Sequence, residues 1–238
     1  MSKTETTAAR SPSSSGIGTM GEHSLHASLK DWYARPGDLK EVVVDGYQID
    51  IVRGDLLIEI QTRNFSSLKR KLSTLTNHHR VHLVHPIACE KWIVRLADDG
   101  LERLSRRKSP KRGTPLHVFE ELVSIPELIA HPSFTLEVLM VQEEEIRRKH
   151  ARGRWRRRGW GTFDRRLLDV VARVAVASLD DLRRWLPDGL PEPFTTADLA
   201  GALHQPRDLA QKMAYCLRRM GVLKVLGRRG NGILYAPS

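Results

Sequence analysis

The chain has 238 residues, 40% hydrophobic and 28% charged, which is enough for one large or two ordinary domains with a packed core. Its net charge of +11 favours an anionic partner, and no apolar run approaches the ~18 residues of a membrane-spanning helix, so no membrane partner is expected. Two widely separated cysteines, Cys89 and Cys216, match no metal or redox spacing, which predicts a cytoplasmic location.

The positive charge is concentrated in the second part of the chain. Residues 1–146 carry 19 Lys/Arg against 20 Asp/Glu, whereas residues 147–238 carry 20 against 8. The anion-binding surface is therefore expected mainly after residue 146. Residues 1–20 are rich in Ser and Thr without an apolar segment, which predicts a disordered tail rather than a secretory signal.

The first ordered elements are predicted to be a helix, a strand and a hairpin. Apolar residues on one helical face predict a helix over Glu22–Ala34, and a strand is predicted over Glu41–Asp45. The stretch YQIDIVRGDLLIEIQ, Tyr47–Gln61, then has two apolar runs on either side of Gly54-Asp55. A Gly-Asp pair between two strand-like runs indicates a two-residue hairpin turn.

This turn predicts a pair of facing carboxylates. It pairs the strands so that Asp50 faces Glu59, with Gln61 further along the same polar face. Directly opposed Cβ atoms lie about 4.5–5.5 Å apart. Two carboxylates at that distance repel each other unless a proton or a divalent cation lies between them. The hairpin therefore predicts a metal site.

The order of these elements resembles the PD-(D/E)XK motif of the restriction-endonuclease-like nucleases. In that motif a helix precedes a β-meander carrying an Asp and an (Asp/Glu)-x-Lys triplet, here Asp50 and Glu59-Ile60-Gln61, and a second helix follows, here Ser66–Leu75. The resemblance implies an α/β (α+β) nuclease-like domain with a central mixed sheet over residues 21–146. It also implies Mg²⁺ or Mn²⁺ held by Asp50, Glu59, the Ile60 carbonyl and Glu22.

The chain departs from the motif at Gln61, because the triplet usually ends in Lys. Gln61 can orient a water molecule but carries no charge, so Lys69 or Lys71 on the next helix is expected to supply one. The predicted catalytic residues are Asp50, Glu59, Gln61, Glu22 and Lys69.

The remainder of the first domain is predicted to be mixed. Four histidines between residues 78 and 85 are interpreted as strand and loop residues, because His82 and His85 should point to opposite sides of a strand. The basic run Arg103–Arg112 is predicted to be a loop or hairpin tip. The other predicted elements are strands over Arg80–His85, Lys91–Leu96 and Thr135–Gln142 and a helical pair over Phe119–Ile129.

A basic linker is predicted over residues 147–163. Residues 147–158 hold eight Lys/Arg and no acid, and Trp155 and Trp160 are interleaved with them. These tryptophans either stack on bases or pack on a domain, and a sequence-independent attraction to phosphate is expected in both cases. The linker residues predicted to bind DNA are Arg154, Arg156, Arg157 and Arg158.

The last part, residues 164–238, is predicted to be a mainly helical domain. Leu167, Leu168, Val171 and Val174 have helical spacing, and Ser178 is typical of a helix N-cap. Two further helices, Ala197–Leu203 and Asp208–Met220, precede two short strands around a Gly- and Arg-rich turn. This order resembles a winged helix-turn-helix domain.

The Asp208–Met220 helix is predicted to enter the major groove of duplex DNA. Leu209, Met213, Leu217 and Met220 should form its buried face. The predicted DNA contacts are Gln211, Lys212, Tyr215, Arg218 and Arg219 on the helix and Arg228, Arg229 and Asn231 on the wing.

Three functional interpretations remain open from the sequence. The leading one is a metal-dependent DNA endonuclease of a defence or DNA-processing system with a C-terminal DNA reader. The alternative is a transcription regulator or DNA-binding adaptor whose nuclease-like domain is inactive and serves dimerisation or ligand sensing. Under this interpretation a homodimer is one of the open alternatives. In the third, the first domain is unrelated to nucleases and the carboxylates merely line a polar sheet face.

Overall fold

A computed structural model describes residues 24–97, 100, 102–149 and 159–238. Its helices and strands combine in a mixed α+β architecture. In chain order they are α1 (Ser24–Tyr33), β1 (Leu39–Val44), β2 (Tyr47–Arg53), β3 (Leu56–Ile60), α2 (Lys69–Leu75), β4 (Arg80–Leu96), β5 (Arg103–Lys108), α3 (Phe119–Leu122), β6 (Phe134–Lys149), β7 (Trp160–Val176), α4 (Leu179–Arg183), α5 (Thr196–Leu203), α6 (Arg207–Arg219), β8 (Leu223–Arg229) and β9 (Gly232–Pro237). Short 3-10 helices, including Phe65–Leu68 before α2 and Pro126–Ala130 after α3, complete the described chain.

The first seven strands form one mixed sheet in the order β1-β2-β3-β4-β6-β7, with β5 beside the distal part of β4. Strands β1 to β3 form an antiparallel meander, while β3, β4 and β6 run parallel to one another. Strand β7 returns antiparallel to β6 and forms one edge of the sheet.

The predicted hairpin and its register are confirmed. Gly54 has a φ of 58°, which a Cβ would disfavour, and it forms a two-residue turn with Asp55. Ile51 then faces Ile58, and Arg53 faces Leu56, which is the register that a Gly54-Asp55 turn predicts.

Helices cover both faces of the sheet. On one face Leu25, Leu29 and Tyr33 of α1 pack over β2, β3 and β6. On the other face α2, α3 and the 3-10 helices build a larger core. This core continues into the C-terminal helices, where the Phe119 and Trp185 rings meet edge to face at 5.8 Å.

The structure corrects the prediction for residues 147–176. Strand β6 continues to Lys149, and Trp160–Val176 form strand β7 rather than a linker and a helix. Shifts in the β6–β7 register leave Phe163, Leu168 and Val171 as extra residues on β7. These bulges break the two-residue alternation of a strand and imitate the spacing of a helix. Likewise, the two strands predicted over residues 80–96 are one strand, β4.

The C-terminal elements follow the prediction more closely. Ser178 caps α4 and Thr195 caps α5, each in a capping box. Leu209, Met213, Leu217 and Met220 are all buried, as predicted for that face of the helix. Helix α6 also contacts α3, so the C-terminal part packs directly on the sheet-containing part. No helix in the described part of the chain is long and apolar enough to span a membrane.

Candidate functional site

Asp50 lies where the strand pairing of the hairpin stops. Its Oδ2 accepts a hydrogen bond from the Ile60 backbone N–H at 2.8 Å and lies 3.2 Å from His26 Nε2 on α1. Burial raises the pKa of Asp50, but the hydrogen bonds from His26 and Ile60 outweigh it, and the resulting pKa is below the usual value. Asp50 is therefore ionised in neutral solution.

Glu59 lies beside Asp50 and has the opposite protonation tendency. Burial raises its pKa, and the negative charge of Asp50 raises it further. Lys71 of α2 offsets part of this effect, since its Nζ is 2.7 Å from Glu59 Oε1. The second oxygen, Oε2, is buried and has no hydrogen-bond partner in the described structure. The site thus combines an ionised carboxylate, a carboxyl of raised pKa and an ammonium group.

Two other predicted catalytic residues, Gln61 and Lys69, are not at this pair. The Gln61 side-chain amide donates to the Arg63 carbonyl at 2.6 Å instead of reaching the carboxylates. Lys69 lines a surface depression with Glu127, so Lys71 and not Lys69 supplies the positive charge at Glu59. Glu22 lies outside the described residues.

The two carboxylates suit a hard divalent cation. Mg²⁺ prefers oxygen ligands and is commonly held by one or two carboxylates, with water and substrate phosphate completing its coordination. The unpartnered Glu59 Oε2 is an oxygen of this kind. The described residues contain no cluster of three or more His, Cys, Asp or Glu side chains arranged for a metal ion.

The histidines of β4 are separate from one another, as predicted. His82 lies on the α1 side, with its Nε2 2.9 Å from the Tyr33 hydroxyl oxygen. His85 lies against Phe65 on the other face of the sheet, with its Nδ1 2.7 Å from the Gln61 carbonyl oxygen. They serve as structural hydrogen-bonding groups on opposite faces of the sheet.

The predicted DNA-contacting residues of α6 divide into two groups. Gln211, Tyr215 and Arg218 are exposed and make no side-chain hydrogen bond or ion pair within the described structure. Lys212 instead pairs with Asp208 at 2.7 Å, and Arg219 pairs with Glu127 after α3. Within the described structure, the side chains of this helix face that are available for a ligand are therefore Gln211, Tyr215 and Arg218.

The predicted wing is the β8–β9 hairpin, which turns at Gly230-Asn231. Arg228, Arg229 and Asn231 are all exposed. Arg229 forms an ion pair with Asp198 at 2.9 Å, which links the hairpin to α5. The predicted DNA contacts Arg154, Arg156, Arg157 and Arg158 lie outside the described residues.

Sequence reasoning missed the role of His26 in the site and named Lys69 instead of Lys71 among the catalytic residues. His26 occurs four residues before Lys30, and this spacing places both on one face of α1 towards Asp50. The choice of lysine depends on the rotation of α2, which the 3-10 turn Phe65–Leu68 sets. The lysine spacing alone contains no such information.

Comparisons with known proteins assign the chain to a family. A family model described as "Domain of unknown function (DUF8091)" matches residues 23–177, more than half of the chain, and the protein belongs to this family. The matched range ends one residue after β7 and so includes the whole seven-stranded sheet.

The chain is also similar to an uncharacterized protein of Treponema pallidum (strain Nichols). The two are 31% identical over 223 residues, which cover 92% of this chain and 86% of the relative, so the similarity includes the C-terminal helices as well as the sheet. The comparison with solved structures gives no significant match.

Proposed function

We propose that the protein is a metal-dependent DNA endonuclease of the PD-(D/E)XK type, which hydrolyses phosphodiester bonds. The observation that carries this proposal is the Asp50–Glu59 pair, with one carboxylate ionised, the other of raised pKa, and Lys71 beside it. The order of α1, the β1–β3 meander and α2 supports the resemblance to these nucleases. Perturbed carboxylates held together in this way are typical of functional sites.

In this proposal Asp50, Glu59 and the Ile60 carbonyl hold Mg²⁺ or Mn²⁺, and Glu22 is the further ligand implied by the resemblance. A bound divalent cation supplies Lewis acidity and lowers the pKa of a coordinated water. The Ile60 N–H and His26 fix the orientation of Asp50. Lys71 takes the place of the missing motif lysine, and its ammonium stabilises negative charge that develops on the phosphate.

The C-terminal elements supply DNA recognition in the same proposal. Helices α5 and α6 and the β8–β9 hairpin have the element order of a winged helix-turn-helix domain. Gln211, Tyr215 and Arg218 face the major groove, and Arg228 and Asn231 on the wing contact the backbone. The contact between α6 and α3 holds this reader against the domain that carries the carboxylates.

The test is cleavage of supercoiled plasmid by the full chain with Mg²⁺, with Mn²⁺ and with EDTA. We expect nicking with either metal and none with EDTA. Asp50→Asn or Glu59→Gln should abolish cleavage while changing DNA affinity little. The matched control is Asp55→Asn, which alters an exposed carboxylate in the turn of the same hairpin and should cut normally. A wild-type protein that binds DNA but cuts with neither metal would refute the enzyme.

A second candidate is a transcription regulator or DNA-binding adaptor with an inactive nuclease-like domain. Two contacts favour it: Lys71 already neutralises Glu59, and Gln61 is held by the Arg63 carbonyl. Gln61→Lys distinguishes the two functions. It restores the usual charge and should preserve or increase cleavage in an endonuclease, whereas a regulator would remain inactive and keep its DNA binding.

A further inference from the structure

Four strands of the sheet continue well beyond the carboxylate site. We call residues 92–96, 103–108, 143–149 and 160–165 the β-arm; they come from β4, β5, β6 and β7. Strands β4 and β6 stay paired as far as Arg95 and Arg147, and β6 and β7 as far as Lys149 and Trp160. Ile93, Val94 and Ile146 are buried within it, so the β-arm has a small core of its own.

The β-arm presents an excess of positive charge. Strand β5 has the sequence RLSRRK, and all six of its residues are exposed. Some β-arm cations are neutralised, as in the pairs Arg106–Glu144 and Arg147–Glu145. Others make no ion pair with any carboxylate in the described structure, and these are Arg95, Arg103, Arg107, Arg148 and Lys149.

The aromatic side chains of the β-arm are already engaged by cations. Arg106 lies 5.0 Å from the centre of a Trp92 ring, Arg95 lies 4.9 Å from a Trp160 ring, and Arg148 lies 3.7 Å from the Phe163 ring. Binding of single-stranded nucleic acid uses open aromatic faces on which bases stack. Rings that already contact cations, together with exposed cations that lack an ion pair, instead favour sequence-independent contacts to the phosphates of a duplex.

The length of β4 fixes how far the β-arm reaches. Ile60 pairs with Val84, so the carboxylate site lies beside this part of β4. From His85 to Leu96 the strand rises about 36 Å, at about 3.3 Å for each residue. One turn of duplex DNA measures about 34–36 Å, or about 10 base pairs.

We propose that the β-arm is a second, sequence-independent binding surface for duplex DNA, which contacts the backbone about one helical turn away from the Asp50–Glu59 pair. The affinity of the β-arm for duplex DNA does not depend on catalysis. Only the spacing of one helical turn rests on the proposed function, because that function places a phosphate at the carboxylates.

The first test measures binding of the full chain to a 30-base-pair duplex in EDTA, so that no cleavage occurs. The arm variant is Arg103→Gln/Arg107→Gln/Lys149→Gln. The control variant Arg35→Gln/Lys40→Gln/Arg80→Gln makes the same charge change at exposed cations outside the β-arm. Loss of three phosphate contacts should lower the slope of log affinity against log salt by about 2.7, and affinity by roughly tenfold to a few hundredfold at 0.1 M salt. The control should retain the wild-type slope.

An equal loss in both variants, or no loss in the arm variant, would overturn the proposal. So would an arm-dependent preference for single-stranded nucleic acid or for anionic vesicles over the duplex. The second test is a hydroxyl-radical footprint in EDTA, in which we expect a protected segment that disappears in the arm variant. It should lie about 10 base pairs from the cleavage position found with Mn²⁺. A wild-type protein that never cuts would refute the endonuclease while the arm-dependent binding stands.

Discussion

Lys71→Met should destabilise the protein at alkaline pH and much less at acidic pH. The Lys71 and Glu59 side chains are only 13% and 11% exposed, and their charged atoms are 2.7 Å apart. Truncating one partner of a buried ion pair costs about 3–5 kcal/mol, because the other charge remains buried and unpaired. The variant can avoid this cost only by protonating Glu59.

The pH dependence follows from the direction of the Glu59 shift. Its pKa is already above the ordinary value of 4.5, and loss of Lys71 raises it further. A carboxyl that ionises more easily in the unfolded chain makes folding less favourable as pH rises above its unfolded pKa. Protonation at pH 8 costs about 5 kcal/mol, at about 1.4 kcal/mol for each pH unit, so the ion-pair penalty of about 3–5 kcal/mol applies in full. At pH 5 protonation limits the penalty to about 0.7 kcal/mol.

The assay is urea unfolding followed by tryptophan fluorescence at pH 8 and at pH 5. Lys69→Met, which removes an exposed lysine from the same helix, should change stability little at either pH. Lys71→Met/Glu59→Gln should recover much of the stability lost at pH 8, because it removes the buried charge. Equal losses at both pH values, or an unaffected Lys71→Met protein at pH 8, would refute the reasoning.

Three further outcomes are expected. Gly113→Ala should lower the free energy of unfolding, measured in urea, by about 1–3 kcal/mol, because its Cβ would lie 2.5 Å from Ile87 Cγ2. Gly201→Ala has open space around the new Cβ and should raise the free energy of unfolding by about 0.5–1 kcal/mol, so the reverse order of stabilities would contradict this reasoning. Burial raises the pKa of Glu137, but hydrogen bonds from His82, Arg173 and Tyr33 lower it to about 2, so the wild-type protein should lose stability as the pH falls from about 4.5 to 2. Glu137→Gln should be less stable than wild type at pH 6 but should lose less stability on acidification. Arg218→Ala should weaken duplex binding and reduce its salt slope by about 1, whereas Arg183→Ala on α4 should leave both unchanged.

The sequence predicted best what local chemistry determines. The Gly54-Asp55 turn sets the register of the hairpin without long-range information, and the Ile51–Ile58 pairing follows from it. The burial of Met213 and Leu217 on α6 likewise follows from helical periodicity.

The parts that could not be predicted depend on distant partners. Strand β7 has helix-like spacing because its bulges are set by pairing with β6, which no local pattern reveals. At the site, Asp50 and Glu59 were found from the turn. The hydrogen bond from His26 required the placement of α1, and the choice of Lys71 over Lys69 required the rotation of α2.

The contact between α1 and β7 sets the order in which the chain can fold during synthesis. The Ser24 hydroxyl donates to Asp164 at 2.7 Å, across a sequence separation of 140 residues. At about 5–20 residues per second, α1 leaves the ribosome roughly 7–30 s before its partner strand exists. During this time Leu25 and Leu29, which are buried in the complete fold, lack part of their cover. A nascent chain that stops before Trp160 is thus expected to keep the apolar face of α1 available to chaperones. The sheet is completed only after β7 has been translated.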